Sequence, residues 1–321
     1  MLYPGLFWRR AMVPRGTATG QALLADCSGT AGREVKGMRD NDEQIAYWNG
    51  EGGERWARQN AQIDAIIRPI GEATLDAAAP RAGERAIDIG CGCGNQTLAL
   101  AARIGSRGHV LGVDVSGPML GLARELAAAR GATGANVDFL LADAANHAFE
   151  RGAHDLLFSR FGVMFFADPV AAFANLRLAL RPDGRLVFCC WRAMRENELM
   201  TLPMAAALEH LPAPEPPPPG APGPFAFADP GRLQEILEEA GYIGCRITAL
   251  DVPVSIGAGS NAEGIALQLL ELGPAARLLA EATPAQRQAV TEQLARALSP
   301  RVDARGITLT ACCWLLRARR P

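Results

Sequence analysis

The chain has 321 residues, 49% hydrophobic and 21% charged, enough apolar material to bury a substantial core as one domain with appended elements. A formal net charge of −2 with scattered arginines argues against a nucleic-acid partner held by phosphate contacts, and no apolar run reaches the length of a membrane-spanning helix. Eight cysteines fit a reducing, cytoplasmic setting better than a disulfide framework.

Residues 1–40 are rich in Gly, Arg, Ala and Thr, and their first acid is Asp26. Without sustained periodicity they read as a disordered extension, a transit peptide being the alternative. From Asn41 the pattern becomes helical, through residues 43–49, 56–60 and 63–70. Tyr47, Trp48 and Trp56 either cap a ligand or pack in the core, with packing favoured for Trp56.

The run Ala86-Ile87-Asp88-Ile89-Gly90-Cys91-Gly92-Cys93-Gly94 follows. A buried strand ends on an acid, the chain turns with almost no side chains, and a helix begins near Gln96 with its free N–H groups facing the gap. A dinucleotide fingerprint would need glycine at Asn95, one step later, and Asp88 would repel a pyrophosphate. Residues 109–114 form a second apolar run ending in an acid; Asp114 stands where such a carboxylate accepts from both ribose hydroxyls, or serves only as a capping acid. Ser116 is a plausible N-cap for the next helix. The third strand ends at Asp143-Ala144. The fourth, residues 154–161, opens beside the glycine turn if strand order reverses there, which puts Ser159, Arg160 and Phe161 at the cleft. Arg160 either pairs with a ligand carboxylate or is salt-bridged to a helix. Residues 178–188 give a helix end, a turn at Pro182-Asp183-Gly184 and a fifth strand.

These five ordered landmarks resemble the class I S-adenosylmethionine (SAM) methyltransferases, most closely the small-molecule branch that includes the ubiquinone/menaquinone-biosynthesis enzymes. The resemblance covers residues 41–250. It implies an α/β fold: a Rossmann-like, doubly wound, seven-stranded sheet, mostly parallel with an antiparallel last strand, under N-terminal helices that fold over the cleft. It implies S-adenosyl-L-methionine as cofactor, lying over Gly90, Cys91, Gly92 and Gly94. Asp88 then suits the ammonium and sulfonium. Asp114 addresses the ribose, Val115 and Met119 belong to the cofactor-binding second-motif segment that starts the next helix, and Asp143 and Ala144 address the adenine. The implied reaction is in-line methyl transfer to a small-molecule acceptor, in which alignment and exclusion of water matter most. No catalytic base is assigned; His147 and His154 stand outside any motif. The alternatives are an NAD-dependent oxidoreductase and a non-catalytic SAM-binding regulatory protein.

Beyond the fifth strand the chain departs from that branch. Residues 198–210 read as a helix, and residues 212–224 carry eight prolines, an extended strap that either lids the acceptor with Phe225 and Phe227 or simply links. A helix follows Asp229-Pro230, and residues 243–256 read as the sixth strand. A helical insert over residues 261–298 precedes a seventh strand near residues 306–317, where a tight hairpin would be usual. Cys189-Cys190 and Cys312-Cys313 lie in strand-like runs and read as small buried hydrophobes. Adjacent strand residues point to opposite faces, so neither pair chelates a metal and no metal site is expected.

Overall fold

The apolar runs that end on acids become parallel strands of one sheet. The computed structural model describes residues 34–130, 136–218 and 220–321, so residues 1–33 of the expected extension lie outside them. Three helices come first: α1 (Glu34–Asn49), α2 (Glu51–Arg58) and α3 (Asn60–Ala78). Helix α1 begins ahead of Asn41, and residues 34–40 of the expected extension are therefore helical; the segment has no proline to stop it.

The core then alternates β1 (Arg85–Ile89), α4 (Asn95–Ile104), β2 (His109–Asp114), α5 (Gly117–Ala129), β3 (Asn136–Leu141), β4 (His154–Arg160), α6 (Pro169–Ala179) and β5 (Leu180–Trp191). Sheet order is β3-β2-β1-β4-β5, continued by β7 (Ile307–Arg319) and then β6 (Ile243–Ile256). β1 pairs in parallel with both β2 and β4, so strand order reverses between them. Their carboxyl ends part there, leaving a crevice. β7 runs antiparallel to both β5 and β6. The seven-stranded sheet and its antiparallel last strand are as the family resemblance implies.

Helix starts follow local chemistry. Ser116 Oγ accepts from the Met119 amide, and Asp229 accepts from the amides of Gly231 and Arg232 at the head of α8 (Pro230–Glu239), each satisfying donors that a helix cannot pair internally. At the start of β5, Asp183 takes a left-handed φ of 61°, so the expected Pro-Asp-Gly turn sits inside the strand as an irregularity in its pairing with β4.

The connection from β6 to β7 is helical: α9 (Ala262–Leu270), α10 (Gly273–Ala280) and α11 (Pro284–Leu298). These pack on one another and on α7 (Glu198–Leu208). A Cβ on Gly273 would overlap the Met200 sulfur, so α10 rides directly on α7. The insert belongs to the main hydrophobic core through Ile265, Leu269, Leu279, Val290 and Leu294.

The strap does not lid the acceptor with Phe227. That ring is buried at 3% exposure and packs on Phe173 and Phe188 with centroids 6.0 and 6.5 Å away. Phe225 is half-buried against the same core. Both rings anchor the strap's end to the fold, where burial of apolar area favours them. Residues 212–218 themselves are exposed.

Candidate functional site

Gly90, Gly92 and Gly94 all adopt left-handed backbone, with φ of 64°, 56° and 77°. At Gly90 glycine is required twice over, since a Cβ would also stand 2.5 Å from the Gly162 Cα. The turn after β1 thus lies directly against the turn after β4. Ser159 fixes that approach: its hydroxyl donates to the Ile89 carbonyl at 2.7 Å and accepts from the Gly162 amide at 3.1 Å. Ser159 is fully buried, and its hydroxyl serves the scaffold.

Between these turns and α3 lies a cleft of about 500 Å³, part of it open to solvent. Asp88, Gly90, Cys91, Gly92, Arg160 and Phe161 line it, as the sequence pattern places them. Phe161 is held at a left-handed φ of 65° and stacks on Trp191, ring centroids 4.1 Å apart. A non-glycine residue in that conformation is strained unless its surroundings over-determine it; the stacked indole is that constraint.

Asp88 is nearly inaccessible and accepts from the Thr97 hydroxyl at 2.6 Å. Burial pushes its carboxyl up to about 7, against the opposing effects of Thr97 and Arg160, while Asp114 adds to the rise. Arg160 is paired with Asp64 of α3 at 3.0 Å, both side chains mostly buried. Arg160 therefore bridges to a helix, one of its two readings from the sequence, and it also lines the cleft. Burial also raises the thiols, Cys91 well above its ordinary range and Cys93 to about 12, so both are protonated at neutral pH.

The other predicted residues gather at the ends of β2 and β3, outside the lining of the cleft. Asp114 accepts from the Gly92 amide at 2.7 Å and the Ser116 amide at 2.8 Å, tying the second strand to the glycine turn. Burial raises its carboxyl while these amides and that of Val115 oppose the rise. Asp143 accepts from the Ala145 amide and the Asn146 side chain. Met119 and Ala144 are buried nearby in their elements, and Gly94 is pressed against Ala123 and Phe139. Asn49, the last residue of α1, donates to the Val115 carbonyl at 2.8 Å and accepts from the Gly117 amide at 3.0 Å. The N-terminal helices therefore dock on the β2–α5 loop, covering this half of the site.

Four amide- or carboxyl-bearing cleft residues fell outside the residues singled out from the sequence: Asn60, Asp64, Asn95 and Gln96. Trp56 combines both of its readings, lining the cleft while its ring meets Trp48 at 6.1 Å. Asn60 and Asp64 are one helical turn apart on α3, whose isoleucines 63, 66, 67 and 70 are buried; a polar pair beside an apolar stripe was the available signal. Asn95 donates to Asn60 at 2.8 Å. Gln96 is 4% exposed, and its Oε1 has no hydrogen-bond partner. His154 is excluded as a base: it sits at the opposite end of β4 from Arg160, about 20 Å away at the usual strand rise.

A buried carboxyl resisting its own charge and an orphaned amide oxygen both gain from a cationic ligand. SAM, with its ammonium and sulfonium, is a cosubstrate of that chemistry, and the residues present fit it.

Comparison with known proteins agrees. A family model described as "Methyltransferase domain" matches residues 86–184. The chain is 32% identical over 190 residues to nocamycin O-methyltransferase of Saccharothrix syringae, covering 56% of this chain and 67% of that one. It is 35% identical over 153 residues to aklanonic acid methyltransferase DauC of Streptomyces sp. (strain C5), covering 46% and 69%. In fold it is similar to Haemonchus contortus phosphoethanolamine N-methyltransferase 2 solved with S-adenosyl-L-methionine, with a TM-score of 0.52 and 17% identity over 86% of this chain and 60% of that one. Topology, cleft and relatives together replace the oxidoreductase alternative: this chain belongs to the class I SAM-dependent methyltransferases and resembles the small-molecule branch that includes the ubiquinone/menaquinone-biosynthesis enzymes.

Proposed function

We propose that this enzyme transfers the SAM methyl group to an oxygen of a small organic molecule, with the cofactor spanning both halves of the site. The observation that carries the cofactor assignment is the presence of buried Asp88 and the unpartnered Gln96 Oε1 together in the lining of the glycine-turn cleft. Asp88 and Gln96 hold the ammonium end. Arg160 takes the carboxylate, exchanging its bond to Asp64 for a ligand of matching charge. Asp114 keeps its two amide bonds and uses its remaining lone pairs for the ribose hydroxyls. Val115, Met119, Asp143 and Ala144 surround the adenine side.

When bound, SAM supplies an electrophilic methyl that needs no further activation. The protein's share of the reaction is to align the acceptor oxygen for in-line attack on the methyl carbon, opposite the C–S bond that breaks, and to exclude water. No catalytic base is assigned, and an acceptor already ionised needs none. Oxygen is favoured because one relative is named an O-methyltransferase and the other acts on an acid by its name.

The catalytic domain on this reading runs over residues 41–321, including the strap at 212–224 and the insert at 261–298. A cytoplasmic location is favoured by the seven described cysteines, all free thiols; no described helix is long and apolar enough to cross a membrane. Calorimetric titration of the full chain tests the cofactor assignment. One-to-one binding of SAM and none of NAD is expected; a folded sample that ignores SAM overturns it.

A further inference from the structure

Two arginines from distant parts of the chain meet at one side chain. Arg55 of α2 donates from Nη2 to the Tyr47 hydroxyl at 3.0 Å. Arg277 of α10 places its guanidinium carbon 4.1 Å from the centroid of the same ring. One cation therefore sits at the phenol oxygen and another on the ring face. Like charges held this close repel. Among the described residues neither guanidinium has a carboxylate within ion-pair distance, whereas Arg160 in the cleft has Asp64 and Arg192 has Glu196 and Asp251. The Arg55 Nε is buried and has no acceptor. Burying a charged donor unpaired is unfavourable; an anion between the two arginines would relieve both defects.

The surroundings specify what carries that anion. The Tyr47 ring meets Trp48 edge-on at 5.1 Å, and Trp48 meets Trp56 at 6.1 Å and Phe165 at 5.3 Å. Trp56 lines the cofactor cleft. An unbroken aromatic wall thus runs from the two cations to the place where the methyl group is delivered, and such a wall suits a planar apolar body. Tyr47 and Arg55 belong to the helices that cover the cofactor, while Arg277 belongs to the insert that sets this chain apart from the plain fold.

We propose that Arg55 and Arg277, bracketing Tyr47, form the recognition site for the anionic group of the methyl acceptor, and that the acceptor is an aromatic acid whose ring system lies along Trp48 and Trp56. This rests on the methyltransferase reading and adds to it the acceptor's charge and class. The insert then has a chemical use: α10 contributes half of the anion site, so acceptor binding joins α10 to α2 across the mouth of the cleft.

The probe is 1-hydroxy-2-naphthoate, compared with its uncharged carboxamide, titrated calorimetrically into the full chain saturated with S-adenosylhomocysteine. The acid is expected to bind about tenfold more tightly than the amide, a preference that weakens as sodium chloride is raised. Arg277→Gln and Arg55→Gln should each abolish most of that preference while leaving amide and S-adenosylhomocysteine affinities unchanged. Arg277→Lys should retain much of it. Arg277 is exposed, so its variants fold even if Arg55→Gln does not. Equal affinity for acid and amide, no binding of the acid, or a preference that survives Arg277→Gln overturns the site. Failure of wild-type protein to bind S-adenosylhomocysteine would instead overturn the cofactor assignment, so the two failures are distinguishable.

Discussion

The floor of the cleft and its cover are built on different principles. The floor is made by chain turns after β1, β2 and β4, locked by backbone-directed bonds: Gly92 and Ser116 amides to Asp114, and Ser159 between the Ile89 carbonyl and the Gly162 amide. The cover is made by α1, α2 and α10, and it is held by side chains: Asn49 on the β2–α5 loop, the Tyr47, Trp48 and Trp56 rings, and Arg277 on Tyr47. A floor made of backbone tolerates almost no change of residue type where φ is positive. A cover made of side chains tolerates exchange and can be fitted to a new acceptor without disturbing the cofactor.

That contrast can be broken most forcefully at Gly90. Alanine there meets both a left-handed φ and a backbone neighbour, the Gly162 Cα, that cannot swing aside. Gly90→Ala should lower stability by about 2–4 kcal/mol, read from the denaturant midpoint, and should remove SAM binding. Loss of less than about 0.5 kcal/mol would show that the two turns are not locked together.

The next effect in size lies at Asp114. Asp114→Ala should abolish the rise in melting temperature that SAM gives the wild-type protein, a loss of about a hundredfold in affinity by the linkage between binding and stability. A retained rise would move the ribose site away from the second strand.

The floor was legible in the sequence for the same reason that it is rigid. Acids at strand ends and glycines at every second position are local signals, and the topology that joins Asp88, Gly90 and Arg160 follows from the strand-order rule for open sheets. Asp64, Gln96 and Asn60 were missed because their presence in the cleft depends on where α3 lies across the sheet, which no short-range pattern encodes. The same limit explains Phe227. A phenylalanine beside a proline tract reads as a lid until the packing of α6 and β5 shows a core position for it. Ser159 belonged to the right turn, yet both functions of its hydroxyl go to the scaffold.

Asp88 sharpens the comparison through pH. Its carboxyl is raised from 3.8 to about 7 in the fold, so between those values the unfolded chain is ionised while the native site still holds its proton. The folded state binds more protons, and its contribution from this group is fully present below about pH 4 and falls as pH rises to about 7, by up to about 1.4 kcal/mol per unit. A cationic ligand favours the ionised form and reverses the trend. SAM affinity should therefore climb up to about tenfold per unit towards pH 7 and then level off, with proton release on binding. Asp88→Asn should flatten that profile. Calorimetry in two buffers of different ionisation enthalpy reads both quantities, and a pH-independent affinity in the wild type would show that Asp88 does not face the cofactor's charge.

The smallest effect is expected in the strap, and there the contrast between backbone and side chain is sharpest. Residues 212–218 are exposed, while the segment behind them is pinned by the Gly223 amide on the Met164 carbonyl at 3.0 Å and by Phe227 in the core. Shortening an exposed connection changes closure entropy only logarithmically with length. Deletion of residues 214–218 should therefore leave stability within about 0.5 kcal/mol of wild type, and SAM affinity unchanged. The ring behind the strap is a different matter, since Phe227 fills a packed site among Phe173 and Phe188 and belongs to the core. If the deletion instead weakened binding of the aromatic acid without touching SAM, the strap would belong to the cover after all, acting through its exposed prolines rather than through the ring that anchors it.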